Sequence, residues 1–387
     1  AQAAPAIYPV DTARFLGTSK FDFKVEFDRE LSQSDIDVRI NGKSVADVFG
    51  ARPEFIRNEE GKGSAILLRN VSLTPGKYVV SAKDGKEEAS AKWDVYGTPE
   101  KAKAKNVILL IADGLSMGHR TGARLLSKGV TNGMYNGYLS MDTLPYTGML
   151  GTCSVDSIAA DSANTASAYM TGHKSSVNAI GVYADRTKDP FDDPRQENIA
   201  ELLRRKTNKS IGIVSDAEVE DATPASVVSH TRKRSEKAAI VGMFAGIRPE
   251  VLIGGGSAYF LPRTVPGSKR KDDKDYVEDF RKAGYTLATT RTELEKVMER
   301  HGIQWLKKGT HEKHLSVLDF EKPRRRARPQ AAEEGHGIQV SGSARPHRFH
   351  ERGPQGALQE SQRLLPHARS RTRGQVHASS RLGTRHL

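Results

Sequence analysis

The sequence predicts a mixed chain: a small all-β sandwich, then an α/β domain with a mostly parallel sheet flanked by helices. Three observations predict it. Residues 8–97 consist of short alternating runs separated by Asn-Gly, Pro-Gly and Asp-Gly pairs. From Asn106 the runs turn continuously apolar and alternate with helix-like segments. From Arg324 to Leu387 neither period survives, and that composition predicts disorder.

In the first part, "KFDFKVEFD" (Lys20 to Asp28) alternates apolar and polar residues, as a half-buried strand does. "DVRINGKSV" places Asn-Gly between two β-prone runs, a hairpin signal. "LTPGKYVVSAKDGKEEASAKWDVYG" gives turn, strand, turn and strand. The spacing predicts an immunoglobulin-like sandwich over 8–97, without its disulfide, since Cys153 is the single cysteine of the chain. "TPEKAKAK", residues 98–105, reads as a linker.

Residues 106–323 read as the α/β part. "NVILLIADG" is an unbroken apolar run ending in Asp-Gly, which predicts a buried parallel strand. "SIGIVSDA" (Ser210–Ala217) and "EVLIGGG" (Glu250–Gly256) repeat the form. "GHRTGARLLSKG", "ENIAELLRRK", "SEKAAIVGMFAG" and "TELEKVMERHG" read as helices. Functional groups of such sheets gather beyond the carboxyl ends of strands, and Asp113 sits at one.

The chain has 387 residues and a formal net charge of +13. The 324–387 tail, with 13 Arg, 4 Glu and neither Lys nor Asp, carries +9 of it. The basic balance therefore belongs to the tail, and a charge run of that kind is usually solvated, so no nucleic-acid partner is expected. No apolar run approaches the ~20 residues that span a bilayer, so no transmembrane segment is expected. The opening "AQAAPAIYPV" lacks Met and reads as the region after a cleaved export signal, which predicts a periplasmic or secreted protein.

Polar groups gather in three segments: Asp113 in "LLIADG", Asp161-Ser162 in "AADSANTASAYMTGHKS", and Asp221, Thr223, His230 and Arg234 in "DAEVEDATPASVVSHTRKR". A helix starting at Asp161-Ser162 would set the Ser162 hydroxyl at a positive dipole end among small neighbours, a natural place for phosphate. A serine hydroxyl needs a base or a metal to become a nucleophile, and no histidine is paired with it locally. Asp113, Asp221 and Thr223 offer the hard oxygens that Mg²⁺ prefers. Arg234 offers a planar fork that matches phosphate oxygens. Plain structural roles compete at each position. Asp161 and Asp221 read equally as helix caps, the Asp-Gly at 113–114 as a turn, "LIGGGSAYF" as a strand-end turn and His230 as a packed histidine.

"NVILLIADG", "DSANTASAYMTG", "VEDATPASVVSHTRKR" and "VLIGGG", in this order, resemble the alkaline phosphatase family over roughly Lys105 to Tyr285. More narrowly, they resemble its bacterial members that carry an N-terminal immunoglobulin-like β domain. The resemblance implies hydrolysis of phosphate monoesters through a phosphoserine at Ser162, using two Zn²⁺ and one Mg²⁺. It implies that Asp113 bridges a zinc and the magnesium, with Ser162 at a zinc. It implies that Thr223 binds magnesium with Asp221 beside it, that Arg234 clamps phosphate, and that Asp161 orients Arg234. One zinc would lower the pKa of the serine hydroxyl and the other would serve the leaving oxygen in two in-line displacements. A homodimer is also compatible with the family. A sulfatase is not expected, because Cys153 sits in "CSVDS" rather than Cys-x-Pro-x-Arg. A phosphodiesterase stays open.

The family's remaining zinc ligands, carboxylates and histidines that follow the Gly-Gly-Gly strand, have no match in context after Tyr285. Read from the second base of each codon, Arg363 to Ala378 permits "GFFLMLEAGLVDKFTH", and Ser380 to Arg385 permits "LDWERA". That text resembles the missing segment, which predicts a reading frame displaced between about Leu315 and Arg324. A chain without those ligands would be an inactive fragment or a non-catalytic binding protein, and this is the competing expectation.

Overall fold

Residues 4–101, 103–300 and 314–317 are described by the computed structural model. The predicted disorder and displaced frame of 324–387 lie outside them.

Residues 4–96 form a β module. Its strands are β1 (Ala6–Tyr8), β2 (Arg14–Leu16), β3 (Phe21–Glu26), β4 (Asp37–Ile40), β5 (Lys43–Ser44), β6 (Glu54–Ile56), β7 (Ala65–Val71), β8 (Gly76–Lys83) and β9 (Glu88–Tyr96), with a short helix α1 (Val45–Phe49) after β5. They make two sheets, ordered β1-β3-β7-β6 and β2-β9-β8-β4-β5. Side chains from both sheets, among them Phe15, Phe23, Val25, Ile40, Val80 and Trp93, form one hydrophobic core. Burying such a side chain contributes roughly 1.5–3 kcal/mol. The Trp93 indole N–H donates to the Pro9 carbonyl at 3.0 Å, so the largest core residue leaves no polar atom unpaired. The Asn-Gly pair turns β4 into β5, with Asn41 at φ 49° and Gly42 at φ 78°. Asp84-Gly85 turns β8 into β9.

β3 departs from the expected half-buried pattern, because all six of its residues are buried, including Asp22, Lys24 and Glu26. The reason is tertiary. The polar face of β3 packs on a segment of the α/β part, residues 185–197, and each of the three polar side chains faces a charged side chain or a backbone group. Asp22 Oδ2 accepts from Arg69 and from the Arg195 backbone. The Lys24 ammonium lies 2.6 Å from Asp185, 2.7 Å from Glu59 and 3.1 Å from Glu26.

The α/β part contains α2 (Met117–Lys128), β10 (Val130–Thr131), β11 (Met134–Tyr135), α3 (Ser162–Thr171), α4 (Ile199–Lys206), β12 (Gly212–Glu218), α5 (Ala222–Ala225), α6 (Lys237–Ile247), β13 (Val251–Gly255), α7 (Tyr276–Lys282), β14 (Thr286–Leu287), α8 (Arg291–Arg300) and β15 (His314–Val317). The last sheet is ordered β12-β13-β15-β14 and every pair in it is parallel. Ile213 and Leu252 from this sheet share a core with Ile240 and Phe244 of α6 and Phe280 of α7. The i, i+4 spacing of Ile240 and Phe244 gives α6 its buried face. An Asn198–Glu201 capping box starts α4.

The expected strand over "NVILLIADG" does not form. Residues 106–112 pair with no strand among the described residues, and Val107, Ile108 and Leu110 are 83, 72 and 89% exposed. Its ends are tied to residues flanking β12: Lys209, before the strand, donates through Nζ to the Lys105 carbonyl at 2.6 Å, and Thr223 of α5, after it, donates through Oγ1 to Asp113 at 2.7 Å. A strand apolar on both faces needs cover on both. Among the described residues nothing covers it, and no hydrogen-bonded ladder forms there.

Candidate active site

Ser162 is the first residue of α3, and Asp161 is its N-cap. Asp161 Oδ1 accepts from the backbone N–H of Ala163 at 2.6 Å and Asn164 at 3.1 Å. The cap thus uses the N–H groups that an uncapped helix would offer a phosphate. Ala163 and Ala166 are buried, and Gly172 ends the helix in the left-handed conformation at φ 79°. The small residues therefore serve close packing of α3 as well as access to Ser162.

Asp221 is likewise a cap, for the short α5, and its carboxylate pairs with Arg234 Nη2 at 2.8 Å. Burial opposes the charge on Asp221, but the Arg234 guanidinium and its own cap hydrogen bond hold its pKa below the ordinary carboxylate range. Arg234 Nη1 lies 3.5 Å from Ser162 Oγ, the only hydrogen-bond partner of that hydroxyl among the described residues.

Among the described residues Asp161 makes no hydrogen bond or ion pair with the Arg234 side chain and reaches that residue through Asn178. Its second oxygen accepts from the Asn178 N–H at 2.6 Å, and the Asn178 carbonyl accepts from the Arg234 backbone N–H at 2.9 Å. Asp221, not Asp161, pairs with the guanidinium.

Asp113, Asp161, Ser162 and Thr223 line one cleft of about 520 Å³, together with Ser116, Thr152, Thr165 and Tyr169. Ser116 and Thr152 are additions that carry no periodic or motif signal in the sequence, and Tyr169 lies within "DSANTASAYMTG" without having been singled out. The Thr223 hydroxyl donates to Asp113 Oδ2. His230 is a packed histidine, buried, with its ring bonded to the Gly181 carbonyl and beside Asn198 and Glu201. A larger cavity, about 640 Å³, lies between β3 and α4, but its Arg69, Arg205 and Glu201 are paired with Asp22, Glu197 and His230.

The sequence profile of the family described as alkaline phosphatase matches residues 104–307, more than half of the chain, and spans every residue of this constellation. The chain belongs to the alkaline phosphatase family. It is 35% identical over 222 residues to alkaline phosphatase H of Pseudomonas aeruginosa, covering 51% of this chain and 44% of that protein. It is 30% identical over 213 residues to the alkaline phosphatase of Gadus morhua, covering 47% and 44%. A solved cold-active alkaline phosphatase from Shewanella sp. aligns at 23% identity and a TM-score of 0.42, over 54% of this chain and 44% of that one. The chain thus spans less than half the length of the relatives it matches. Among the described residues no helix is long and apolar enough to cross a membrane.

Proposed function

We propose that this chain carries the serine-bearing part of a phosphomonoesterase centre. The observation that carries the reading is one cleft in which Ser162 opens a helix, Arg234 reaches its hydroxyl and Asp113 meets Thr223. The Ser162 oxygen would attack phosphorus, the bond to the substrate alcohol would break, and water would then cleave the phosphoserine. Arg234 would hold two non-bridging phosphate oxygens, with Asp221 fixing the plane of its fork. The dipole of α3 favours the incoming negative charge even though its first amides are capped.

Asp113 Oδ2 and Thr223 Oγ1, 2.7 Å apart with Asp221 nearby in sequence, are hard oxygens of the kind magnesium takes. Bound there, the ion would offset the negative charge gathering on the phosphate. Zinc fits less well. A zinc site takes three or more nitrogen, sulfur or oxygen ligands, and among the described residues only Ser162 and Asp113 face the cleft in the roles expected for it. Zinc therefore enters no step here. Its part in the function rests on family membership, as do periplasmic or secreted localisation and a homodimer. The two sheets around one core support an immunoglobulin-like reading of residues 8–97.

The test is phosphoenzyme trapping. The chain is loaded with Zn²⁺ and Mg²⁺, mixed with a radiolabelled aryl phosphate and quenched in acid. Label on Ser162, absent in Ser162→Ala, supports the reading, and a diester run in parallel separates the two esterase classes. No label with both metals present sinks it and leaves the alternative of a non-catalytic chain, which the uncovered 106–112 segment favours.

A further inference from the structure

Asp185, Asp192 and Asp193 bring carboxylate oxygens within 4.8 Å of one another, an arrangement that could hold a cation. Two of the protein's own side chains supply the positive charge there, Lys24 at the Asp185 carboxylate and Arg232 at that of Asp193. Arg232 Nη1 donates to the Asp185 carbonyl at 2.9 Å, and Nη2 donates to the Thr187 carbonyl and, at 2.7 Å, to that of Asp189. Its Nε lies 3.3 Å from the buried carboxylate of Asp193. Its backbone N–H donates to the Pro190 carbonyl at 3.2 Å. One guanidinium thus organises the whole 185–193 loop, a fork that a lysine could not reproduce.

The other side of this loop is tied to the β module. Lys24 holds the Asp185 carboxylate. Arg186 enters the module, donating to the carbonyls of Phe27 at 2.7 Å and of Gly63 and Ser64 at 2.9 Å, and pairing with Glu59 at 3.0 Å. The Lys188 N–H donates to Glu60 at 2.9 Å. Two residues beyond Arg232 stands Arg234, whose stretch is pinned by the Ile180–Thr231 bridge and by its own N–H on Asn178.

We propose that the β module positions Arg234 against Ser162 through the 185–193 loop, with Arg232 as the positioning residue that joins the loop to the arginine's strand of chain. This rests on the roles given above to Ser162 and Arg234. It assigns the module a part in preorganising the site rather than a separate task. A clamp arginine is useful only when its fork is held before the phosphate arrives.

The experiment reads Arg234 without turnover. Hydrogen exchange is followed by mass spectrometry in the full chain for wild type, Arg232→Lys, Lys24→Met and Val80→Ala, the last loosening the module core away from the loop. The expected result is at least tenfold faster exchange in residues 229–236 for Arg232→Lys and Lys24→Met, with α4 unchanged, and no such change for Val80→Ala. The Nε–H signal of Arg234 in a ¹H–¹⁵N spectrum, assigned by its loss in Arg234→Lys, should move toward that of a free arginine in the same two variants. Were Lys24→Met to unfold the chain, α4 would exchange too and Arg232→Lys alone would decide. Unchanged exchange in 229–236 together with an unmoved Arg234 signal overturns the proposal. Failure of phosphoenzyme trapping would overturn the catalytic reading and leave these readouts as they are.

Discussion

Replacing Lys24 with methionine tests how the β module is fastened. The ammonium is 3% exposed and lies within 3.1 Å of three buried carboxylates, those of Asp185, Glu59 and Glu26. Methionine keeps most of the volume and removes the charge, so three acids face one another with Arg186 as the remaining nearby cation. Breaking a buried pair by removing one partner costs about 3–5 kcal/mol, because the other charge stays desolvated. At about 2–4 °C per kcal/mol for a cooperative unit of about 150–250 residues, Tm should fall by about 6–20 °C. The sign with pH follows from the acids. Burial already raises the pKa of Glu26, and loss of Lys24 raises it further. The folded variant then binds more protons than its unfolded chain, so its deficit against wild type should grow as pH rises from 5 to 8. Urea unfolding followed by tryptophan fluorescence, to which Trp93 in the module core and Trp305 both contribute, reads this. Lys77→Met, which removes an exposed pair with Asp94, is the control and should leave the midpoint in place. A loss below about 1 kcal/mol, or one that does not vary with pH, would refute the reasoning.

Three further outcomes are expected. Burial pushes the His173 pKa down to about 3, in a site stacked on Phe15 at 4.6 Å and bonded to Tyr183, so the unfolded chain binds a proton there that the folded chain does not. Stability should fall by up to about 1.4 kcal/mol per unit as pH drops below 6.5, and His173→Gln should remove that share of the slope in urea melts at pH 4 and 6. Gly181 has φ 62° and no room for a side chain, since a Cβ would sit 2.5 Å from the Ser229 carbonyl oxygen. Gly181→Ala should cost about 1–3 kcal/mol, and a urea midpoint matching wild type would count against that geometry. We also propose that the 324–387 tail is read out of frame. Sequencing of genomic DNA across codons 310–387 should find a one-base displacement between codons 315 and 324, and an uninterrupted frame encoding the written tail would end the idea.

Where pattern and packing agree, the sequence was readable. The helices α3, α4 and α6 and the strands β12 and β13 begin and end close to where caps and apolar runs place them. Two strands resisted for opposite reasons. β3 shows the alternation of an exposed face, yet that face is buried by a segment more than 150 residues away, and no local pattern encodes such a partner. "NVILLIADG" has the pattern of a central strand, yet it lacks neighbours among the described residues. At the site, Asp113, Ser162, Thr223 and Arg234 could be named because they lie in short motifs, and the first three line one cleft with Arg234 at the Ser162 hydroxyl. The route from Asp161 to Arg234 could not be read, because it runs through the backbone of Asn178, whose side-chain identity carries no trace of the role. Arg232 stood unnoticed in "TRKR" for the same reason: its partners are carbonyl oxygens, which every residue has.

The bare apolar run of Val107 to Leu110 also sets a clock on the molecule. Folding of the rest is a first-order event, indifferent to how many copies are present. Two such runs meeting is second-order and accelerates with concentration, and the β12 edge, to which no strand is paired among the described residues, adds a second place to meet. Material handled dilute and cold should stay monomeric long enough to study, whereas the same preparation concentrated tenfold should lose its monomer about a hundred times faster per unit volume, as a bimolecular rate law requires. For this chain, the quantity that limits its working life is therefore the number of its own kind nearby.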